Sequence, residues 1–429
     1  MPHRRHFLRS AGLAAAGLFG TVFQPAWSRG LQRALRDAEG VAPGDLAAEE
    51  EFWYYIQQAF TGTPGLINFN NGGVSPAPRV VAEAMKSNYD FSNGAPSFNM
   101  WRILDQGREP LRRSLAAFGG CNPNELALNR NATEGLDTVI FGLPLSAGDE
   151  VVLCRQDYNH VVFSWQQRAA RDGIRINWVD LQLPSEDEHY LVQQYVNAFT
   201  PRTKAVTITH MINWNGQLLP VRAIADEARK RGIAVLVDGA HSFAQLDFRI
   251  PDLGADYFAT SLHKWTYAPI GTGALWVRPE KIAALWPLHG AEKFSVDDIR
   301  KFEHLGTRPF YIEQATHKAV EFNEGIGLKR KQERLYYLKN YWMERVKDLP
   351  GVRLSTPFAP KWSGAIGMIS FEGKKPNELD SYLYANYKIH CTTIDWNGVR
   401  GVRITPNVYT TLKQLDLLVD GIRRYAGKS

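Results

Sequence analysis

Between positions 150 and 238, short apolar runs alternate with helical patterns through seven successive elements, and few folds accommodate that rhythm. Residues 151–154, 174–179, 205–209 and 234–237 are short, apolar and rich in β-branched side chains. The intervening segments 161–171, 192–199 and 221–231 repeat their apolar residues at helical spacing. Strand, helix and strand in this order read as crossover units, which lay the strands parallel. The fold class is therefore expected to be α/β, with helices covering a mainly parallel sheet. Ligands on such sheets bind beyond the carboxyl ends of the strands. Polar residues stand at those ends: Asp157 and Tyr158 after one strand, His210 and Asn213 after another, Asp238 after a third.

Asp238 ends its strand and is followed by Gly239-Ala240-His241; twenty-six positions on, Lys264 follows the apolar run 257–259 in Ser261-Leu-His263-Lys264. A Gly271-Thr-Gly273 hinge then leads into the apolar run 274–277. A lysine flanked by aromatic and small residues at a strand end can be a desolvated amine of lowered pKa that attacks carbonyls, although a lone lysine is more often a solvated surface group. The aspartate changes the balance. A carboxylate on one strand end and an amine on the next suit pyridoxal 5'-phosphate (PLP), the first holding the pyridine nitrogen protonated and the second binding the aldehyde as a Schiff base.

The Ser261-x-His263-Lys264 element with its Gly-Thr-Gly hinge resembles the signature of the class V aminotransferases, fold-type I PLP enzymes that include cysteine desulfurases, kynureninase and isopenicillin N epimerase. The chain departs from that pattern at Leu262, where the family usually has a small residue. The resemblance runs from about Asn68 to the C-terminus. It implies a large domain with a seven-stranded sheet, a small α+β C-terminal domain, and a homodimer with shared active sites. It also implies a role for each matching residue. Ala132 and Thr133, in Asn131-Ala-Thr-Glu134, would cradle the cofactor phosphate at a helix N-terminus, which suits an anion, although Thr133 and Glu134 could also be ordinary caps. Ser261 and His263 would complete that grip, and Thr307 would reach it from the second subunit. Tyr158, or failing it His160, would lie over the cofactor ring. Asn213 would bond the phenolic oxygen, and His241 would join Asp238 among the cofactor contacts.

Arg403, in Gly401-Val-Arg-Ile-Thr405, matches the family arginine that clamps a substrate α-carboxylate, for which a planar guanidinium is well shaped. Arg400 is available for an ordinary surface ion pair. Asn71 and Gly72, in a Gly- and Pro-rich run passing the site, are candidate substrate contacts or a plain turn. With a lysine free to carry a proton, transamination, epimerisation and loss of a β-substituent are all open. A desulfurase would need a mobile cysteine ahead of Arg403, whereas Cys391 sits in a strand-like run. Trp101, Arg102, Trp214 and Trp396 would line a roomy pocket or serve as core.

The first residues read as an export label. Arg4-Arg5-His6-Phe7-Leu8-Arg9 is a twin-arginine pattern, the apolar stretch 11–23 follows, and Ala26-Trp27-Ser28 offers a cleavage site. Thirteen apolar residues fall short of the roughly 20 that span a bilayer, so no stable membrane insertion is expected. Arg4, Arg5 and Arg9 supply three of the six net positive charges, and the remainder calls for no nucleic acid. Three scattered cysteines suit neither a disulfide framework nor a zinc cluster, and no metal is expected. The domain plan is a leader (1–28), an N-terminal segment of the small domain (29–70), the large PLP-binding domain (71–310), and the C-terminal small domain (311–429), opening with one long helix over 311–346. Export of a folded, cofactor-loaded protein implies a periplasmic enzyme. Its size, label and motifs resemble the exported, siderophore-tailoring members of the isopenicillin-N-epimerase-like branch, which modify a glutamate side group in pyoverdine maturation. The substrate would then be a small-molecule or peptide amine. A dinucleotide oxidoreductase would need a Gly-x-Gly-x-x-Gly turn, which is absent. A non-catalytic binding protein of the same fold would ordinarily have lost Lys264 or Asp238.

Overall fold

The computed structural model describes residues 26–290 and 294–427; the twin-arginine label, including Arg4, Arg5 and Arg9, lies outside them. Seven strands form the main sheet: β1 (Leu126–Asn129), β2 (Glu150–Cys154), β3 (Arg175–Val179), β4 (Thr203–Thr209), β5 (Ala234–Asp238), β6 (Tyr257–Ser261) and β7 (Gly273–Val277). Their spatial order is β1-β7-β6-β5-β4-β2-β3, and β7 alone runs against its neighbours. The remaining pairs are parallel. Each covered strand feeds alternate side chains to opposite faces. Val152, Cys154, Val235 and Val237 enter one core, while Val151, Leu153 and Leu236 enter another with Leu136, Val139 and Ile140 of helix α1 (Ala132–Gly142). Burial on both faces explains why these strands read as unbroken apolar runs.

A third core lies in the small domain, under an antiparallel sheet of Thr392–Trp396, Val399–Ile404, Gly367–Phe371 and Val352–Leu354. The chain reaches it twice. Ile67–Asn68 pairs with Ile389–His390, and Phe69 is wholly buried there, before the chain returns to build the large domain.

Two boundaries differ from expectation. The helix expected over 311–346 is two helices, α2 (Phe310–Ile326) and α3 (Leu328–Val346), broken at Gly327. Its φ of +87° is a conformation that glycine adopts without the Cβ clash other residues meet. Moreover, α2 packs into the large-domain core, and α3 bridges the cores: Leu335 and Tyr336 lie in the first, Leu338, Trp342 and Val346 in the third. The N-terminal segment also joins the large domain. Leu31, Ala34, Phe52, Trp53 and Ile56 are buried in its core, so only the stretch near Ile67 belongs to the small domain. The anchor is Arg334 of α3, fully buried, which donates to the Ala47 carbonyl at 2.9 Å, pairs with Glu50 and lies 5.3 Å from the Trp53 ring.

Candidate active site

Lys264 stands three residues past the end of β6, in a turn closed by the Leu262 N–H to the Thr272 carbonyl and the Ala268 N–H to the Leu262 carbonyl, both 3.0 Å. Leu262, the residue at odds with the family pattern, is buried in the large-domain core. Tyr267 holds a φ of +64° in the same turn, a strain that persists only where surroundings over-determine it. Here they do: its hydroxyl donates to Asn407 at 2.6 Å, and Nζ of the buried Lys331 lies 3.9 Å from its ring. The lysine is thus delivered on a braced loop.

The Lys264 amine faces a cavity of about 340 Å³ lined by Gly72, Thr133, Tyr158, Asn213, Asp238, His241, Ser261, His263 and Arg403, among others. Desolvation draws its pKa down to about 8, with Arg403 adding to the fall and Asp238 opposing it. Its Nζ lies 3.0 Å from Nε2 of His241. Burial first, then the charges of Lys264 and Arg403, hold His241 well below the usual imidazole value, so it is neutral and able to accept from the ammonium. Asp238 accepts from the Ala240 N–H at 2.9 Å. Burial raises its pKa, while that N–H and Lys264 pull it back.

At the opposite wall, α1 points its N-terminus into the cavity. Asn131, not Thr133, caps it by accepting from the Glu134 N–H at 2.9 Å, and the Ala132 N–H donates to the Ser261 hydroxyl at 2.9 Å. Glu134 turns away to Arg130. Thr133 lines the cavity beside this helix end, and His263 Nδ1 is buried without a partner, its ring kept neutral by burial and by Lys264 with a pKa of about 4. Gly273 permits this approach: a Cβ there would sit 2.6 Å from the Asn131 backbone. A helix N-terminus flanked by Thr133, Ser261 and His263 suits a phosphate.

Tyr158, rather than His160, lines the cavity; His160 is exposed as the second residue of the following helix, Asn159–Asp172. The Tyr158 ring centre is 5.9 Å from Lys264 Nζ. Just before it, Asp157 is fully buried and accepts from Thr209 at 2.7 Å and the Cys154 N–H at 2.9 Å. Burial lifts its pKa to about 7. Asn213 is buried in the wall with its side-chain oxygen unpaired.

Arg403 comes from the small-domain strand Val399–Ile404. Its guanidinium donates to the Asn213 carbonyl and to Asn70 Oδ1, both at 2.9 Å, and Nε remains without a partner. Burial lowers its pKa to about 10, so it stays charged at neutral pH. Arg400 takes the dull role instead, in an exposed pair with Asp395 at 3.0 Å. Asn71 does not contact the cavity. It is wholly buried, donates to the Thr405 carbonyl at 2.8 Å and accepts from Tyr409 at 2.6 Å, so it staples the loop to the small domain. Its neighbours face inward: a Cβ on Gly72 would lie 3.1 Å from Thr405 Cγ2 and 3.5 Å from Arg403 Cζ. Asn70, which orients Arg403, was not singled out in the sequence, where the only trace is the Asn-rich run from Asn68 to Asn71. Thr307 is exposed and does not line its own chain's cavity.

The family model for class-V aminotransferases matches residues 67–417. The chain belongs to this family. Among curated class-V relatives, the isopenicillin N epimerase of Streptomyces clavuligerus is 29% identical over 385 residues, covering 85% of this chain and 96% of that one. A probable cysteine desulfurase of Mycobacterium leprae is 27% identical over 89% of this chain and 65% of its own length. Among solved structures, a C-DES variant carrying glycine linked to its PLP cofactor superposes with a TM-score of 0.77 at 23% identity, covering 86% of this chain and 98% of that one. The cysteine desulfurase of Thermococcus onnurineus gives 0.75 at 21%, over 87% and 98%. The fold is fold-type I, the chain is a PLP-dependent enzyme, and its cofactor is pyridoxal 5'-phosphate.

The class-V site fits that cofactor without rearranging its donors. Thr133, Ser261, His263 and the N-terminus of α1 would hold the phosphate, Asp238 the pyridine nitrogen, and Asn213 and His241 the phenolic oxygen; Tyr158 would cover the ring and Lys264 meet the aldehyde. When bound, PLP supplies an electron sink that acidifies the carbon bearing the substrate nitrogen. The chain supplies the rest. Arg403 would anchor a substrate carboxylate, and Lys264, with its pKa near 8, would take up or return the proton at that carbon.

Proposed function

We propose that this protein is a periplasmic PLP-dependent enzyme that works on the amino group of a glutamate unit in siderophore (pyoverdine) maturation, by aminotransferase-type chemistry. The observation that carries the amine chemistry is the convergence of Lys264, Asp238 and Arg403 on one cavity. The twin-arginine pattern at Arg4-Arg5 supports export of the folded, loaded protein, and the siderophore substrate rests on the resemblance to exported members of the branch. The active unit is a homodimer in which Thr307 of each chain completes the other's phosphate grip. Epimerisation is the second reading, favoured by the isopenicillin N epimerases among the relatives. Desulfuration finds less support in the thiols. Cys391 and Cys154 are buried with pKa values pushed well up by desolvation, and Cys121 is raised to about 12 for the same reason.

Incubating the loaded protein with glutamate-bearing siderophore precursors in D2O separates these readings by mass. A ketone in place of the amine marks transamination; one deuteron at that carbon together with inverted configuration on chiral chromatography marks epimerisation. Unaltered precursor and unaltered amino acids, from a protein whose Lys264 peptide does gain cofactor mass on borohydride treatment, would remove the siderophore proposal while leaving the cofactor site intact.

A further inference from the structure

Three neighbouring strands, β2, β4 and β5, bring three polar residues to one edge of the sheet. Asp157 stands just past β2, Thr209 ends β4 and Asp238 ends β5, with Thr209 and Asp238 directly in register. Thr209 and Asp238 line the Lys264 cavity, whereas Asp157 is wholly buried and is not part of that lining. Both of its oxygens are engaged: Oδ1 accepts from the Thr209 hydroxyl at 2.7 Å and Oδ2 from the Cys154 N–H at 2.9 Å.

A carboxylate sealed from water is costly unless a cation offsets it. None does so here. Burial lifts the Asp157 pKa most, Thr209 and the Cys154 N–H pull it back, and the negative charge of Asp238 lifts it again. Cys154 and Tyr195, the other titratable groups beside it, are kept neutral by burial, which pushes both well up. Closing the turn at Cys154 does not explain the charge, since asparagine closes such turns without one. Asp157 and Asp238 are thus two buried acids at one strand edge, and like charges oppose each other's ionisation. A protonated ring nitrogen beside Asp238 would relieve that opposition and let both carry charge.

We infer that Asp157 is a positioning residue for the contact between Asp238 and the pyridine nitrogen, setting through Thr209 a second negative charge behind Asp238 that favours the protonated ring. The inference rests on assigning Asp238 to that nitrogen. Thr209 keeps the arrangement in order. Its single proton is committed to Asp157, so it does not compete with the ring nitrogen as a donor to Asp238.

The test compares PLP with 1-deazapyridoxal 5'-phosphate, which keeps the phosphate, aldehyde and phenolic oxygen and has carbon in place of the ring nitrogen. Quenching of tryptophan fluorescence gives the affinity of the empty protein for each. The unmutated protein should prefer PLP. Asp157→Asn should shrink that preference about tenfold by weakening PLP alone, the scale of one pKa unit at the ring nitrogen. Thr209→Val, close in shape, removes the donor that keeps Asp157 ionised and should shrink the preference in the same direction, which decides the matter should Asp157→Asn fail to fold. Equal losses for the two cofactors, or a preference unchanged in a folded variant, would reduce Asp157 to a turn residue and overturn the inference. An unmutated protein with no preference would instead remove the assignment of Asp238 to the ring nitrogen, and the inference with it.

Discussion

Lys264 has its charge set by position. An unburied lysine is protonated until about pH 10.5, whereas burial beside Arg403 lowers this one to about 8. Only the neutral amine attacks an aldehyde. Cofactor uptake by the empty protein should therefore accelerate as pH rises toward 8 and level off above it, followed by stopped-flow absorbance; a rate still climbing toward pH 10 would show a solvated lysine. The same shift acts on stability. Between pH 8 and 10.5 the unfolded chain binds the proton that the folded chain has released, so the empty protein gains stability as pH rises through that window. Arg403 is the second residue whose geometry sets an expectation. Its planar fork bonds the Asn213 carbonyl and Asn70 while keeping Nε free, and Arg403→Lys loses the fork but keeps the charge. A carboxylate substrate should bind about 10- to 100-fold more weakly, the equivalent of roughly 1.5–3 kcal/mol for a charged hydrogen bond. Cofactor absorbance should not change, since Arg403 is assigned to substrate.

At the scale of elements, the helix end at Ala132–Thr133 depends on a neighbour that carries no side chain. Gly273 opens β7 directly against Asn131, and Gly273→Ala places a methyl 2.6 Å from that backbone. Overpacking of this kind costs about 1–3 kcal/mol and displaces the amide that would meet the phosphate. Affinity for PLP should fall about tenfold or more by absorbance titration, with a smaller loss for pyridoxal, which lacks the phosphate. Equal losses for both would place the damage outside the phosphate grip. The elements also show where sequence patterns carry information. The runs at 151–154, 205–209 and 257–259 lie in strands within two residues of their observed ends, because strands buried on both faces must be apolar throughout. The helix expected over 311–346 failed for a local reason: its apolar spacing continues past Gly327, and only the backbone at that residue reveals the break.

The molecule as a whole is organised by chain returns. Its cavity draws on β5 and β6, on α1, on the loop at Gly72 and on Arg403 of the small domain, with Arg403 and Gly72 separated by more than 300 positions. Thr307 stands outside its own cavity, and large apolar side chains including Phe98, Trp101, Ile270 and Trp286 are exposed. Exposed apolar surface of this kind suits a subunit contact. If Thr307 serves the partner's site, mixing a Lys264→Ala chain with a Thr307→Ala chain restores one complete site per mixed dimer. Activity of the mixture should then exceed that of either parent dimer. Activity equal to the mean of the two parents would assign the threonine to its own chain.

The sequence by itself determined the crossover sheet, because period and apolar continuity are local consequences of burying both faces. It also determined the Asp238–Lys264 pair, because each closes a strand whose carboxyl end is where such sheets bind ligands. Tertiary structure decided the rest. It turned Asn71 into a staple and Asn70 into the partner of Arg403, put Tyr158 on the cavity wall and His160 off it, and packed the N-terminal helices into the large-domain core. Those outcomes depend on which face of a loop meets which returning strand. Contacts between positions hundreds of residues apart leave no periodic trace along the chain.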